Sequence, residues 1–130
     1  MMSCKSQQKV FNPEDEKEEC IVFGNGGGFT GAVKEYAISK NGNIYLKSND
    51  KYEKIGSFPK SKTTQILENF YSMELDKMTL DEPGNRYYYI KSRQNNQSQS
   101  LKWGKNPLTD KNLDLYYNLL MQIVKKYSSQ

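Results

Sequence analysis

Phe23-Gly24-Asn25-Gly26-Gly27-Gly28-Phe29-Thr30-Gly31 holds five of the nine glycines in the chain, and the fold turns on how this run is interpreted. Glycine loses more backbone freedom on folding than any other residue, so such a run signals a backbone that must turn sharply or lie close to something. Upstream lies the apolar stretch Cys20-Ile21-Val22-Phe23. Downstream, Lys34, Tyr36 and Ile38 alternate with Val33, Glu35 and Ala37, the period of two that marks a strand. A strand on each side makes the stretch the tip of a long β-hairpin that displays Phe29.

Two nucleotide-binding readings of the same glycines fail on the residues downstream. Gly26-x-Gly28-x-x-Gly31 matches the dinucleotide fingerprint as a string, but that motif requires a helix after the third glycine. Here the alternation runs on to Asn41-Gly42 instead. With Val33 added, the string also matches the glycine-rich hairpin of protein kinases, yet the His-Arg-Asp and Asp-Phe-Gly segments that complete a kinase are missing. A Walker loop fails for want of Gly-Lys-Ser/Thr.

Beyond the hairpin, Asn41-Gly42 between two strand-like runs is the strongest short hairpin signal, and Ile44 and Leu46 share a face of the next strand. Ser48-Asn49-Asp50 turns the chain again, and Tyr52 to Phe58 form a fourth strand that Pro59 closes. Ser61 is the expected N-cap of a helix running to about residue 73, with Ile66, Leu67, Phe70, Tyr71 and Met73 on one side. Leu75, Met78 and Leu80 mark an irregular, partly buried connection. Pro83-Gly84 suits a type II turn. Arg86 to Lys91 reads as a strand, the polar run Arg93 to Gln99 as a mobile hairpin tip, and Leu101 and Trp103 as one face of the return strand. Leu108, Thr109 and Leu113 suit a hydrophobic staple around an N-cap. Leu113, Tyr116, Leu120, Ile123 and Tyr127 then stripe a final helix. The predicted fold is α+β, in the order ββββ-α-ββ-α, with a mostly antiparallel sheet and both helices on one face. The other face is left partly open and carries tyrosines and lysines.

The chain has 130 residues, no internal repeat and 10 tyrosines, consistent with one domain over 20–130 behind a leader over 1–19. No stretch approaches the ~18 apolar residues of a membrane helix. The leader is acidic: residues 1–20 hold three lysines against five acids, a balance of −2, leaving 16 basic and 10 acidic residues, or +6, in the remainder. Residues 5–18 lack periodicity and read as a linker. The chain contains no histidine, which removes the commonest general base and the commonest zinc ligand. Its two cysteines, Cys4 and Cys20, cannot close a four-ligand zinc site, although they suffice for one disulfide. Glu35, Glu53, Glu68, Glu74, Asp76, Asp81 and Glu82 are expected on solvent faces or in turns, with no pair sharing a pocket. The sequence therefore predicts no catalytic residues, no metal, no cofactor and no enzyme, but a protein that acts by binding.

Met1-Met2-Ser3-Cys4 followed by polar residues resembles the end of a bacterial lipoprotein signal. That resemblance implies a lipid on Cys4 and a polar tether beyond it, and hence a bacterial cell envelope location facing the periplasm. Without that processing, the chain would be cytoplasmic.

Two surfaces are candidates for binding, the hairpin tip as the leading one and the sheet face as the alternative. One is the hairpin tip, with Phe29 as a wedge for a protein partner's groove and Asn25, Gly27, Gly28, Thr30 and Gly31 around it. In the competing reading, Phe29 folds back over the sheet edge and the glycines merely permit the turn. The other surface is the tyrosine-rich sheet face, with Tyr87, Tyr89, Lys91 and Lys102 as a site for a small ligand or glycan. Base stacking on that strand is conceivable, but with only two arginines in the chain no nucleic acid is expected.

Gly27-Gly28-Phe29-x-Gly31, Pro83-Gly84-Asn85-x-Tyr87-Tyr88 and Trp103-Gly104 before the last helix resemble a group of small Bacteroidetes-type lipoproteins of no known activity. More distantly, the Gly-Gly-Phe-x-Gly and the succession of elements resemble emfourin-type inhibitors of thermolysin-like metalloproteases. The first resemblance implies an envelope lipoprotein. The second implies inhibition of a secreted or envelope protease through the glycine-rich hairpin.

Overall fold

A computed structural model of the chain describes residues 11–13, 19–27, 32–48, 50–82, 84–94, 97–104 and 111–128. Among the described residues, the expected turn signals and periodicities become seven strands and two helices. Four strands meander first: β1 (Cys20–Gly27), β2 (Lys34–Ser39), β3 (Asn43–Ser48) and β4 (Lys51–Ser57). Helix α1 (Lys60–Ser72) comes next, then a 3-10 turn (Leu75–Lys77) and a short strand β5 (Leu80–Glu82). The chain closes with β6 (Arg86–Gln94), β7 (Gln97–Gly104) and α2 (Lys111–Ser128). In space the order is β4-β3-β2-β1-β6-β7-β5, so the glycine-bearing strand β1 sits at the centre of the sheet.

The β2–β3 turn obeys its sequence signal closely. Gly42 has φ +95, its N–H donates to Ser39 O at 2.9 Å, and a Cβ there would lie 2.3 Å from Phe58 O. Gly42 O in turn accepts from Phe58 N at 2.8 Å, which ties this turn to the start of α1.

Alternation then sorts the strand residues onto two faces. Ile21, Phe23, Tyr36, Ile38, Ile44, Ile90, Leu101 and Trp103 form one face, covered by Ile66, Leu67 and Phe70 of α1 and by Leu113, Tyr116, Leu120 and Val124 of α2. The predicted α+β architecture, with both helices on a single face, is the observed one. Tyrosine hydroxyls fasten the helix layer: Tyr116 donates to Ile66 O at 2.8 Å, Tyr117 to Gly24 O at 3.1 Å and Tyr127 to Ser57 O at 2.9 Å. Gly56 gives Tyr127 its seat, since a Cβ there would lie 2.3 Å from the ring.

Four local expectations are corrected. Helix α1 is capped without Ser61: Pro59 occupies the N-cap position with no side-chain bond, and its carbonyl accepts from both Thr63 N (2.9 Å) and Thr63 Oγ1 (3.0 Å). Pro59, with φ −55, lets the helix begin earlier than a cap at Ser61 would. The connection after α1 contains β5, which pairs in parallel with β7 and lengthens the sheet by an edge strand too short to leave a periodic trace. The polar run 93–99 is not simply a hairpin tip, because β6 continues through Gln94 and β7 resumes at Gln97. Gln94 is buried, its amide donating to Leu67 O at 3.1 Å and to Ser92 Oγ at 3.0 Å, so a polar residue here serves the core. The linker reading of 5–18 missed Phe11 and Pro13, both buried against the sheet. The expected turn at Pro83 and the staple at 108–109 lie outside the described residues.

A candidate ligand-binding face

The face away from the helices is built on two glycines. Gly24 and Gly26 of β1 pair with Tyr89 and Tyr87 of β6. A Cβ at Gly24 would lie 2.9 Å from the Tyr89 hydroxyl and 2.1 Å from Lys34 O, and one at Gly26 would lie 2.7 Å from the Tyr87 hydroxyl. Bare glycine backbone thus lets both rings lie down across the neighbouring strand, the cross-strand aromatic cover that rescues a glycine in a sheet. Two of the five glycines in the stretch are therefore seated against rings, Gly24 also against the Lys34 carbonyl. At Gly27 the cause is the backbone, with φ +81 and Asn85 O only 2.3 Å from a would-be Cβ.

Register brings the four nominated side chains together. Tyr87, Tyr89 and Lys91 succeed one another at alternate positions of β6, and Lys102 stands across from Tyr89 on β7. Lys102 Nζ lies 5.0 Å from the Tyr87 ring centre, and Lys91 Nζ lies 5.7 Å from that of Tyr89. Cation over ring face is the arrangement that the ring quadrupole favours.

Sequence reasoning missed the centre of the face. Glu35, opposite Gly24 on β2, is half-buried and accepts hydrogen bonds from the hydroxyls of Tyr89 (2.5 Å) and Tyr52, with Lys47 Nζ 4.0 Å away. Burial first, and then the adjacent Glu35 carboxylate, push the Tyr89 phenol far above its usual range, so it stays a donor. Phe11 also joins the face, stacked on Tyr45 at 4.1 Å and edge-on to Tyr52 at 5.5 Å. The only clue to Glu35 is the face it shares with Val33 and Ala37, and nothing in the sequence marks Phe11. Beside these groups is a cleft of about 200 Å³, lined by Pro13, Val22, Glu35, Tyr52, Lys91 and Ser100 among others.

Of the hairpin-tip residues, Asn25 and Gly27 are described. Asn25 is half-buried and turned to the helix side, its amide donating to the Tyr117 hydroxyl at 3.4 Å. Gly27 pairs with Arg86. Gly28, Phe29, Thr30 and Gly31 lie outside the described residues, as does Cys4. Tyr88 and Trp103, adjacent in sequence to the candidate residues, belong to the helix-covered face, where they stack at 6.2 Å. Among the described residues no three His, Cys, Asp or Glu side chains gather as metal ligands, and no helix is long and apolar enough to cross a membrane. No protein-family model matches the chain, and no curated protein sequence matches it.

Proposed function

We propose that this protein is a non-catalytic binding module whose ligand site is the open sheet face, taking a small ligand or glycan at the cleft beside Tyr52, Tyr89 and Lys91. One observation carries the reading. Gly24 and Gly26 make room for two tyrosine rings, these rings support Lys91 and Lys102, and Lys91 lines the adjoining cleft. A face meant only for solvent does not need rings held flat by glycines and a carboxylate held by two phenols. The test is an amide-shift titration of the full chain with saccharides and small organic ions. Shifts are expected to cluster at Tyr87, Tyr89, Lys91 and Lys102, and clustering on α1 and α2 would overturn the reading. Trp103 faces the helix layer, so its fluorescence does not report this site directly.

A second reading assigns partner binding to the hairpin tip, with a protease as the target that the emfourin resemblance suggests and a lipid on Cys4 as the envelope anchor. In its favour, the base of the hairpin is fastened to α2 through Asn25, Tyr117 and Gly24. Phe29→Ala and Gly28→Val variants test it. Unchanged partner capture by both removes the loop from consideration.

A further inference from the structure

Three lysines on the open face stand over three tyrosine rings: Lys47 over Tyr52 at 5.7 Å, Lys91 over Tyr89 at 5.7 Å and Lys102 over Tyr87 at 5.0 Å. A lysine held on a ring has less rotamer freedom left to lose when it meets a ligand. Strand register fixes the charges that share this face. Among the described strand residues, Lys47, Lys54, Lys91, Arg93 and Lys102 lie on it, against Glu35 and Asp81. Glu35 is already engaged by two phenols and Lys47, and Asp81 stands beside Lys102 at the sheet edge. Lys91 is exposed at the cleft and, among the described residues, forms no ion pair. Its register partner is Ser100, and Arg93 faces Ser98, so two hydroxyls border the cations. Lys91 and Lys102 are diagonal neighbours, about 7–8 Å apart at their backbones.

Resting on the open-face reading above, we propose that the ligand is an acidic saccharide. One hexuronate carboxylate is held by Lys91, a second acidic group is within reach of Lys102, and Ser98 and Ser100 meet sugar hydroxyls. The cleft, at about 200 Å³, is smaller than the ~300–1,000 Å³ of sites for drug-sized molecules, so it takes one sugar unit and its substituent. Single-stranded nucleic acid fits less well. Its binding draws on bases stacked on open rings, whereas Tyr89 is 4% exposed and Tyr87 is half-buried beneath Lys102.

Calorimetry on the full chain tests this with oligogalacturonate, a neutral maltooligosaccharide, a glutamate oligopeptide and oligothymidylate, each at low and high salt. Oligogalacturonate is expected to bind, more weakly as salt rises, and the other three to bind at least tenfold less tightly. Lys91→Gln is expected to weaken oligogalacturonate about tenfold, the scale of one charge-assisted hydrogen bond. Lys102→Gln should weaken it less, and Lys125→Gln on α2 should leave it unchanged. Equal binding of the neutral sugar with amide shifts still on the open face would overturn the acidic ligand and leave the binding face standing. Equal binding of all three anions would overturn the saccharide. Shifts confined to other surfaces, or no binding by any probe, would overturn both.

Discussion

The two faces of the sheet use tyrosine in opposite ways. On the helix side, Tyr116, Tyr117 and Tyr127 send their hydroxyls to backbone carbonyls, and their rings fill space between layers. On the open side, Tyr52 and Tyr89 send theirs to a carboxylate, and the rings of Tyr52, Tyr87 and Tyr89 lie under ammonium groups. One residue type does structural work where its hydroxyl meets an uncharged acceptor, and builds a candidate site where ring and hydroxyl both meet charge. What each tyrosine touches, rather than how many there are, separates scaffold from surface.

The most direct measure of the contrast is a pair of neighbours on β1. Phe23→Ala, on the helix side, is expected to cost about 4 kcal/mol of unfolding free energy, as for other large-to-small core changes. Gly24→Ala, one residue on, should cost about 3 kcal/mol by overpacking against Lys34 O and the Tyr89 hydroxyl. If chemical denaturation found Gly24→Ala neutral, the open face would be ordinary surface and the comparison would collapse.

Alkali probes both faces together. Burial raises the phenols of Tyr116 and Tyr117, and burial with Glu35 raises Tyr89. Each of these groups ionises at higher pH when folded than the pH near 10 at which it ionises unfolded. Their contribution is therefore fully present below about pH 10 and is lost as the pH rises beyond it. Tyr116 alone should give a fall of about 1.4 kcal/mol per pH unit in that range. Denaturant midpoints measured at successive alkaline pH values, with Tyr116→Phe as reference, check the slope.

Smaller effects test the edges of each face. Phe11→Ala should cost about 1–2 kcal/mol through its lost ring contacts with Tyr45 and Tyr52. A cost near zero would mean that the leader residues do not help to cover this face. Ser61→Ala should change thermal stability by less than about 0.5 kcal/mol, because the helix starts at Pro59 and Thr63 without it. A loss near 1 kcal/mol would restore Ser61 as the cap.

The fold was largely legible because its signals are local. Asn41-Gly42, the alternation after Gly31 and the stripe of α2 each need only a short window of sequence, and all point to hairpins and amphipathic helices. What escaped depends on distant partners. Strand β5 is three residues long and owes its existence to β7, the burial of Gln94 depends on a carbonyl of α1, and Phe11 depends on a ring of β3. The same holds for the candidate site. Tyr87, Tyr89, Lys91 and Lys102 could be found because they alternate on adjacent strands. Glu35 was passed over because its two phenol donors come from β4 and β6, 17 and 54 positions away in sequence. The glycines drew attention to the loop beyond them, although two of them serve rings that arrive from another strand.

Among the described residues, the β1–β2 register runs to Asn25 and Lys34 and the β1–β6 register to Gly27 and Arg86. At Gly26 and Gly27, then, the described ladder runs to Tyr87 and Arg86 of the more remote strand in sequence. A disturbance at Tyr87 should therefore be felt at Gly26 and Gly27 more readily than one at Lys34. Hydrogen exchange at Gly26 and Gly27 is therefore expected to register any ligand that the open face takes, through their pairing with Tyr87 and Arg86.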